Sequence, residues 1–286
     1  METSTLAWFR AADPDPANSL DDTALLIARL RATCHVDVIT EARAHDFVWR
    51  HFRAPYDLCV YELRDDTAHR FILSYLVHYP GIALLRGWPG RASPLLQSAQ
   101  VIVTPHSAAV DTLQDAYPDA HVRFAPAGIR EVEGQDDVVV ALDWPVTGTA
   151  LTTALAGMAA GKAVVAFETE ATADWPALNP QTWRPRDAGV PIIVSIDPRD
   201  EQHSLKLAMQ RLSTDAALRE QLGAAARRWW KTHATVDHAV QAWEAILAEA
   251  RTLPPPSRSA EWEAPEDGTA RAREILGEFG VSVDLF

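Results

Sequence analysis

Residues 155–167 read LAGMAAGKAVVAF, and the parsing of this stretch decides the fold. Gly157, three residues, then Gly161-Lys162 invite comparison with the phosphate-cradling loop G-x-x-x-x-G-K-[ST]. The spacer is one residue short, and Ala163 stands where that loop carries a hydroxyl. The order of elements is also reversed. An alanine-rich helical stretch (149–160) comes first and a β-branched run (163–167) second, whereas a phosphate loop leaves a strand and enters a helix. Gly161 therefore reads as the helix stop, where a left-handed conformation costs glycine little. Lys162 reads as a structural cation past the negative end of the helix.

Outward from this unit, strands and helices alternate along most of the chain. Upstream, 6–9, 36–39, 58–63, 81–85, 101–104 and 122–125 read as strands, and 19–32, 67–79 and 108–117 as helices between them. In the first helix the apolar stripe is Leu20, Ala24, Leu25, Ile27, Ala28 and Leu30, with Asp21 and Asp22 at its positive end. Around the opening stretch lie the strands 138–142, 164–167 and 192–196. From residue 201 to about 251 only helices follow. Leu253-Pro254-Pro255-Pro256 breaks the pattern, and a short amphipathic helix is expected over 270–279. Such alternation predicts mainly parallel sheets with helices on both faces. The polar, acidic stretch 129–137 separates two series, with about six parallel strands before residue 130 and about three after 138. The predicted organisation is a first lobe over 1–130, a linker over 131–137, a second lobe over 138–251, and a Pro-rich segment with its helix over 252–286.

The composition, 48% hydrophobic and 23% charged over 286 residues, suits one large or two modest globular domains. The net charge of −13 is spread evenly: 12 Arg and Lys against 19 Asp and Glu in residues 1–140, and 14 against 20 thereafter. Neither half carries the basic excess that nucleic acid or an anionic lipid surface requires. Cys34 and Cys59 are the only cysteines, without metal-ligand spacing, and suit a reducing compartment. The first residues lack a leader pattern, and no run approaches the roughly 18 apolar residues of a membrane span. The expected location is the cytoplasm.

In a parallel sheet, ligands bind where strands end and helices begin. Residues 142–149 form such a junction, and the N–H groups of Gly148, Thr149 and Ala150 suit a diphosphate there. A threonine-capped helix with nothing bound is the plain alternative. Glu168, Thr169 and Glu170 follow the next strand directly, which places their side chains on the same rim for ribose or sugar hydroxyls. Asp174 lies in the loop beyond. Asp13-Pro14-Asp15 has the D-x-D spacing of a cation clamp but reads as a polar turn around its proline. His69, His78 and His106 are single histidines on or beside helices, read as packing or capping residues. Trp229, Trp230 and Trp243 read as packing among the C-terminal helices.

Several stretches together resemble bacterial family-four glycosyltransferases. YDLCVYELRDDTAHRFILSYLVHYPGIALL (56–85) is similar to their N-terminal lobe, and SAQVIVTPHSAAVDTLQDAYPDAHVRFAPAGI (98–129) to the strand–helix–strand that completes it. ALAGMAAGKAVVAFETEATADWPAL (154–178) resembles the donor-side helix, strand and loop, and LSTDAALREQLGAAARRWWKTH (212–233) the closing helix pair. The resemblance implies an α/β fold of two Rossmann-like lobes of the GT-B type, the second reduced, with C-terminal helices. It implies a retaining, metal-independent hexosyltransferase that uses a nucleotide-diphosphate sugar as donor substrate and no cofactor. A glycan acceptor, or another glycosyltransferase, is the implied partner. Donor binding falls to Gly148, Thr149, Ala150, Glu168, Thr169, Glu170 and Asp174, and the acceptor side to Arg64, His69 and Arg86. The family's paired glutamates, seven residues apart, are here Gly148 or Thr149 and Ala156, and the first strand–helix–strand of its second lobe is missing after residue 129. Those departures raise an alternative, a degenerate GT-B protein that binds a partner without turnover.

Overall fold

The computed structural model describes residues 4–18, 20–64, 67–87, 94–134, 136–142 and 148–256. The expected helix over 270–279, residues 143–147 of the strand–helix junction and the side chain of Glu170 lie outside this description.

The first series folds as β1 (Thr5–Phe9), α1 (Asp22–Leu30), β2 (His35–Ile39), α2 (Ala44–Arg53), β3 (Leu58–Leu63), α3 (Arg70–His78), β4 (Ile82–Leu85), β5 (Val101–Thr104), α4 (Ala109–Ala116) and β6 (His121–Phe124). All six strands are parallel, in the order β2-β1-β3-β4-β5-β6. β3, β4 and β5 are buried at every position, which is why they read as unbroken apolar runs. Asp21 caps α1, its carboxylate accepting from the Ala24 N–H at 2.9 Å.

The second series is β7 (Val138–Ala141), α5 (Gly148–Ala159), β8 (Ala163–Phe167), β9 (Ala177–Leu178), β10 (Ile193–Ile196), α6 (Glu201–Thr214), α7 (Ala216–His233) and α8 (Val236–Ala250). Its strands are also parallel, in the order β7-β8-β10-β9. Two elements were not foreseen, the two-residue strand β9 and helix α2. In α2 only Ala44 and Phe47 are buried, so its apolar residues do not mark a core-facing stripe.

The opening stretch folds as read. Gly161 has φ of 70°, and the Lys162 N–H donates to the Gly157 carbonyl at 2.9 Å while the Gly161 N–H donates to Met158 at 3.0 Å. This is the paired 6→1 and 5→2 closure of a helix with a left-handed residue past its end. Gly157 has a different reason: a Cβ there would sit 2.9 Å from side-chain carbons of Val139 and Val164, so its absence seats α5 on the sheet.

The last helices pass back to the first lobe. Trp243 of α8 is buried against Trp8 of β1, ring centroids 5.0 Å apart, in one cluster with Leu6, Val36, Ile246 and Leu247. Trp230 is buried too, and its indole N–H donates to the Ile129 carbonyl at 3.2 Å. The Ile129 N–H donates to Ala234, which ties the end of the first series to the turn between α7 and α8. Cys34 and Cys59 are buried free thiols.

Candidate functional site

Parallel strands deliver whatever follows them to a single rim. Arg10 follows β1, Arg64 follows β3, Arg86 follows β4, and Pro105-His106 lies just past β5. The register places Arg86 beside β3, its N–H donating to the Leu63 carbonyl at 2.9 Å. Three guanidinium groups thus converge on one buried carboxylate, Glu62, which is 1% exposed. Arg64 Nη2 lies 3.4 Å and Arg86 Nε 3.6 Å from Glu62 Oε1, and Arg10 Nε 3.5 Å from Glu62 Oε2. The start of α1 supplies two more carboxylates. Arg86 pairs with both oxygens of Asp22, one at 2.8 Å, and Arg10 donates to both oxygens of Asp21 at 3.1 Å.

Three positive and three negative groups cancel. Desolvation of this size is offset only when every charge is paired, so the network fixes geometry more than it adds stability. Burial pulls the Arg86 pKa down, but Asp22 and Glu62 outweigh it and raise it above the ordinary arginine value. Arg86 is therefore locked inside the rim. Of the three arginines, Arg64 is the one facing solvent, with 36% of its side chain exposed against 8% for Arg10 and 4% for Arg86. His69 is buried in the short turn that opens α3.

His106 is buried where the two lobes meet. Burial first, then the Arg86 charge, push its pKa down to about 4, against the opposing pull of a hydrogen bond with the Ala171 backbone and of Asp174. The ring is neutral at ordinary pH. Next to it the Ser107 hydroxyl donates to the Asp174 carboxylate, a direct bond between a loop of the first lobe and a loop of the second.

On the second rim, α5 begins at Gly148 with no acidic residue in its first turn. The N–H groups of a first helical turn have no partner within the helix. Thr149 is exposed and Ala150 half-buried. Ala150 lines a hollow with His106, Ala141, Ala166, Thr169 and Trp175. The Thr169 hydroxyl is buried there without a hydrogen-bond partner among the described residues. Glu168 is already engaged: Arg186 lies 3.4 Å from one oxygen, and the Ser195 hydroxyl donates to the other at 3.4 Å. Arg186 also donates to the carbonyls of Thr172, Ala173 and Trp175, which braces the loop that carries Asp174.

The fold thus brings Ala150 and Thr169 to one hollow with His106, with the exposed Thr149 and Glu168 on the same rim. It gathers Arg64 and Arg86 into one network and places Asp174 across the lobe boundary. Arg10, Glu62 and Ser107 were missed by sequence reasoning, and His106 was read only as a packing or capping residue. One signal was present: WFR (8–10), ELR (62–64) and LLR (84–86) each set an arginine directly after a strand. Asp13 and Asp15 form the expected polar turn, Asp13 pairing with Arg43 at 3.5 Å and Asp15 accepting from the Ala17 N–H. Among the described residues no cluster of His, Cys, Asp and Glu could hold a metal, and no helix is long and apolar enough to cross a membrane.

No family model and no curated protein matches the chain. Among solved structures, a glycosyltransferase from Rickettsia africae ESF-5 is similar with TM-score 0.51 and 9% identity, covering 88% of this chain and 100% of that one. MurG of Acinetobacter baumannii (TM-score 0.40, 9% identity, 87% and 99% covered) and the calicheamicin glycosyltransferase CalG4 (TM-score 0.37, 12% identity, 87% and 99% covered) are also similar. The fold is the α/β, two-lobed GT-B arrangement of glycosyltransferases. None of these similarities singles out family four.

Proposed function

We propose that the chain is a retaining, metal-independent glycosyltransferase that moves a hexose from a nucleotide-diphosphate sugar to a glycan acceptor of cell-surface polysaccharide synthesis, acting in the cytoplasm. The observation that carries this reading is the pair of strand-end rims that meet at His106 and at the Ser107–Asp174 bond. One offers the start of α5 beside the unpartnered Thr169 hydroxyl, the other the solvent-facing Arg64 on a locked network. On this reading the N–H groups of Gly148, Thr149 and Ala150 hold the diphosphate and stabilise the charge that develops as it departs. Thr169, Glu168 and Glu170 take donor hydroxyls, and Asp174 joins them when its bond to Ser107 opens. Arg64 faces the acceptor, while Arg86 and His69 act from behind it as positioning residues.

A second reading, a degenerate GT-B protein that binds a glycan or another glycosyltransferase without turnover, draws on a separate observation. The second sheet has only four strands among the described residues, and Glu168 already has two partners. Calorimetric titration with UDP, GDP and their common sugars separates the two. The transferase reading expects saturable binding that Thr149→Pro weakens, because proline fits the first helical turn yet removes an N–H, and that Lys162→Ala leaves intact. Loss of binding in Lys162→Ala but not in Thr149→Pro sinks the helix-start site. Silence from every nucleotide leaves the binding-protein reading. Turnover unchanged by a chelator supports the metal-independent mechanism, and turnover abolished by it refutes that part.

A further inference from the structure

Helix α2 turns its aromatic residues outward. Phe52 is 82% exposed, Trp49 65% and Val48 40%. The spacings of three and four residues set these side chains on one stripe, opposite the buried Phe47. Beside the stripe runs a charged flank in which Asp46 and Arg53 lie two turns apart, with His45 Nε2 3.3 Å from Asp46 and Arg50 drawn back toward Asp37 at 3.6 Å. The flank is therefore acidic toward its start and basic toward its end.

When two identical helices pair antiparallel about a two-fold axis, each flank meets the same flank of its partner in reverse. Centred between Trp49 and Arg50, that arrangement sets Asp46 opposite Arg53 of the second copy, and Arg53 opposite Asp46, while the aromatic stripes cover each other. We propose that α2 is the contact face of a homodimer, joined through an isologous antiparallel α2–α2 pairing. The alternatives fit less well. A surface for anionic lipid needs a basic excess, whereas Arg50 and Arg53 are matched here by Asp37 and Asp46 and the chain carries −13. A different protein would gain nothing from a flank complementary to itself. Two aromatic rings at these exposures cover about 300 Å² per chain, short of the ~800 Å² per partner of a standard interface. The dimer is accordingly concentration-dependent, in the micromolar range rather than obligate.

Sedimentation velocity on the full chain across the micromolar range tests this directly. The expected result is a weight-average mass that climbs from monomer toward dimer. Phe52→Ser should raise the dissociation constant at least about tenfold with an unchanged melting curve, because that side chain supports no core. Arg53→Asp should weaken the dimer by repulsion with Asp46 of the other copy, and Asp46→Arg combined with Arg53→Asp should restore it. A monomer at every concentration, a Phe52→Ser variant that dimerises as well as wild type, or a double variant no better than Arg53→Asp alone overturns the proposal. So does a monomeric wild type that floats with phosphatidylglycerol–phosphatidylcholine vesicles while Trp49→Ser does not, since the face would then be a bilayer site.

Discussion

Gly223→Ala is the substitution whose sign alone tests the packing of the second lobe. Gly223 lies in the middle of α7, where alanine is the better helix former by about 0.8–1.0 kcal/mol. If nothing stood near it, the change would stabilise the protein. A Cβ at this position, however, would sit 2.0 Å from the Gly161 carbonyl oxygen and 2.7 Å from its carbon. Carbon–oxygen contacts settle near ~3.3 Å, so α7 must withdraw by roughly 1.3 Å or the 161–162 turn must distort. Neither neighbour is a flexible side-chain tip, and overpacking against backbone falls at the upper end of the usual ~1–3 kcal/mol. Withdrawal also loosens Leu222, Ala226 and Trp230, which α7 buries. The clash outweighs the propensity gain, leaving a net loss of about 2 kcal/mol, or about 4–8 °C in melting temperature. The assay is thermal and urea unfolding followed by circular dichroism, with Gly161→Asn alongside. Asparagine tolerates the positive φ, and its Cβ would meet only the Arg227 side chain at 3.4 Å, so that control should stay within about 1 kcal/mol of wild type. A Gly223→Ala protein as stable as wild type, or more so, would refute the close approach of α7 to the 161–162 turn.

Three further outcomes follow from the same structure. Trp243→Ala should cost about 3–5 kcal/mol in urea unfolding, because the indole is 2% exposed and joins α8 to β1; a loss under ~1 kcal/mol would mean that α8 is loosely docked. Glu62→Gln should cost about 3 kcal/mol by leaving guanidinium groups buried without their shared carboxylate, whereas Arg29→Ala, which breaks an exposed pair with Asp237, should cost under about 1 kcal/mol; equal effects would remove the distinction. His106 takes its proton at about 4 when folded and near ~6.5 when unfolded. The unfolded chain thus binds more protons between these values, so this contribution to stability is whole above about 6.5 and is lost as pH falls toward 4. Melting temperature against pH should slope less over that window in His106→Gln, and identical slopes would show that this ring does not set the acid limit.

Most of the fold could be read from the chain because β3, β4, β5, β8 and β10 are buried on both faces, so burial and the sequence run carry the same signal. The six strands before residue 130 fall within one or two residues of their expected bounds, and Gly161 stops α5 for the reason its position suggested. The failures have physical causes. β9 exists only through its pairing with β10, and two residues carry no period. In α2 the apolar residues Val48, Trp49 and Phe52 face solvent, so a stripe sought as a core signal points the wrong way. The candidate site was legible by rim and not by partner. That Glu168 and Thr169 follow a strand can be seen in the order of residues, but that Glu168 is held by Arg186 and Ser195 depends on a loop returning beside β10.

The rim arginines show why that distinction matters for chemistry. Read singly, Arg10, Arg64 and Arg86 suggest an anion trap at the ends of β1, β3 and β4. In the folded chain each has Glu62 beside it, and Arg10 and Arg86 take Asp21 and Asp22 as well. Beyond about a Debye length, ~10 Å at moderate salt, such a cluster presents almost no field. A chain of net charge −13 therefore does not draw an anionic donor through this rim. On the proposed reading the diphosphate is held by amide groups at the start of α5, whose partial charge acts only within a turn or so, and Arg64 contributes at contact range alone. Nucleotide affinity should then vary little with salt between about 50 and 300 mM, unlike binding to an uncompensated arginine cluster. A steep loss of UDP or GDP affinity over that range, abolished in Arg64→Gln, would place the anion on the first rim and reverse the assignment of the two sides.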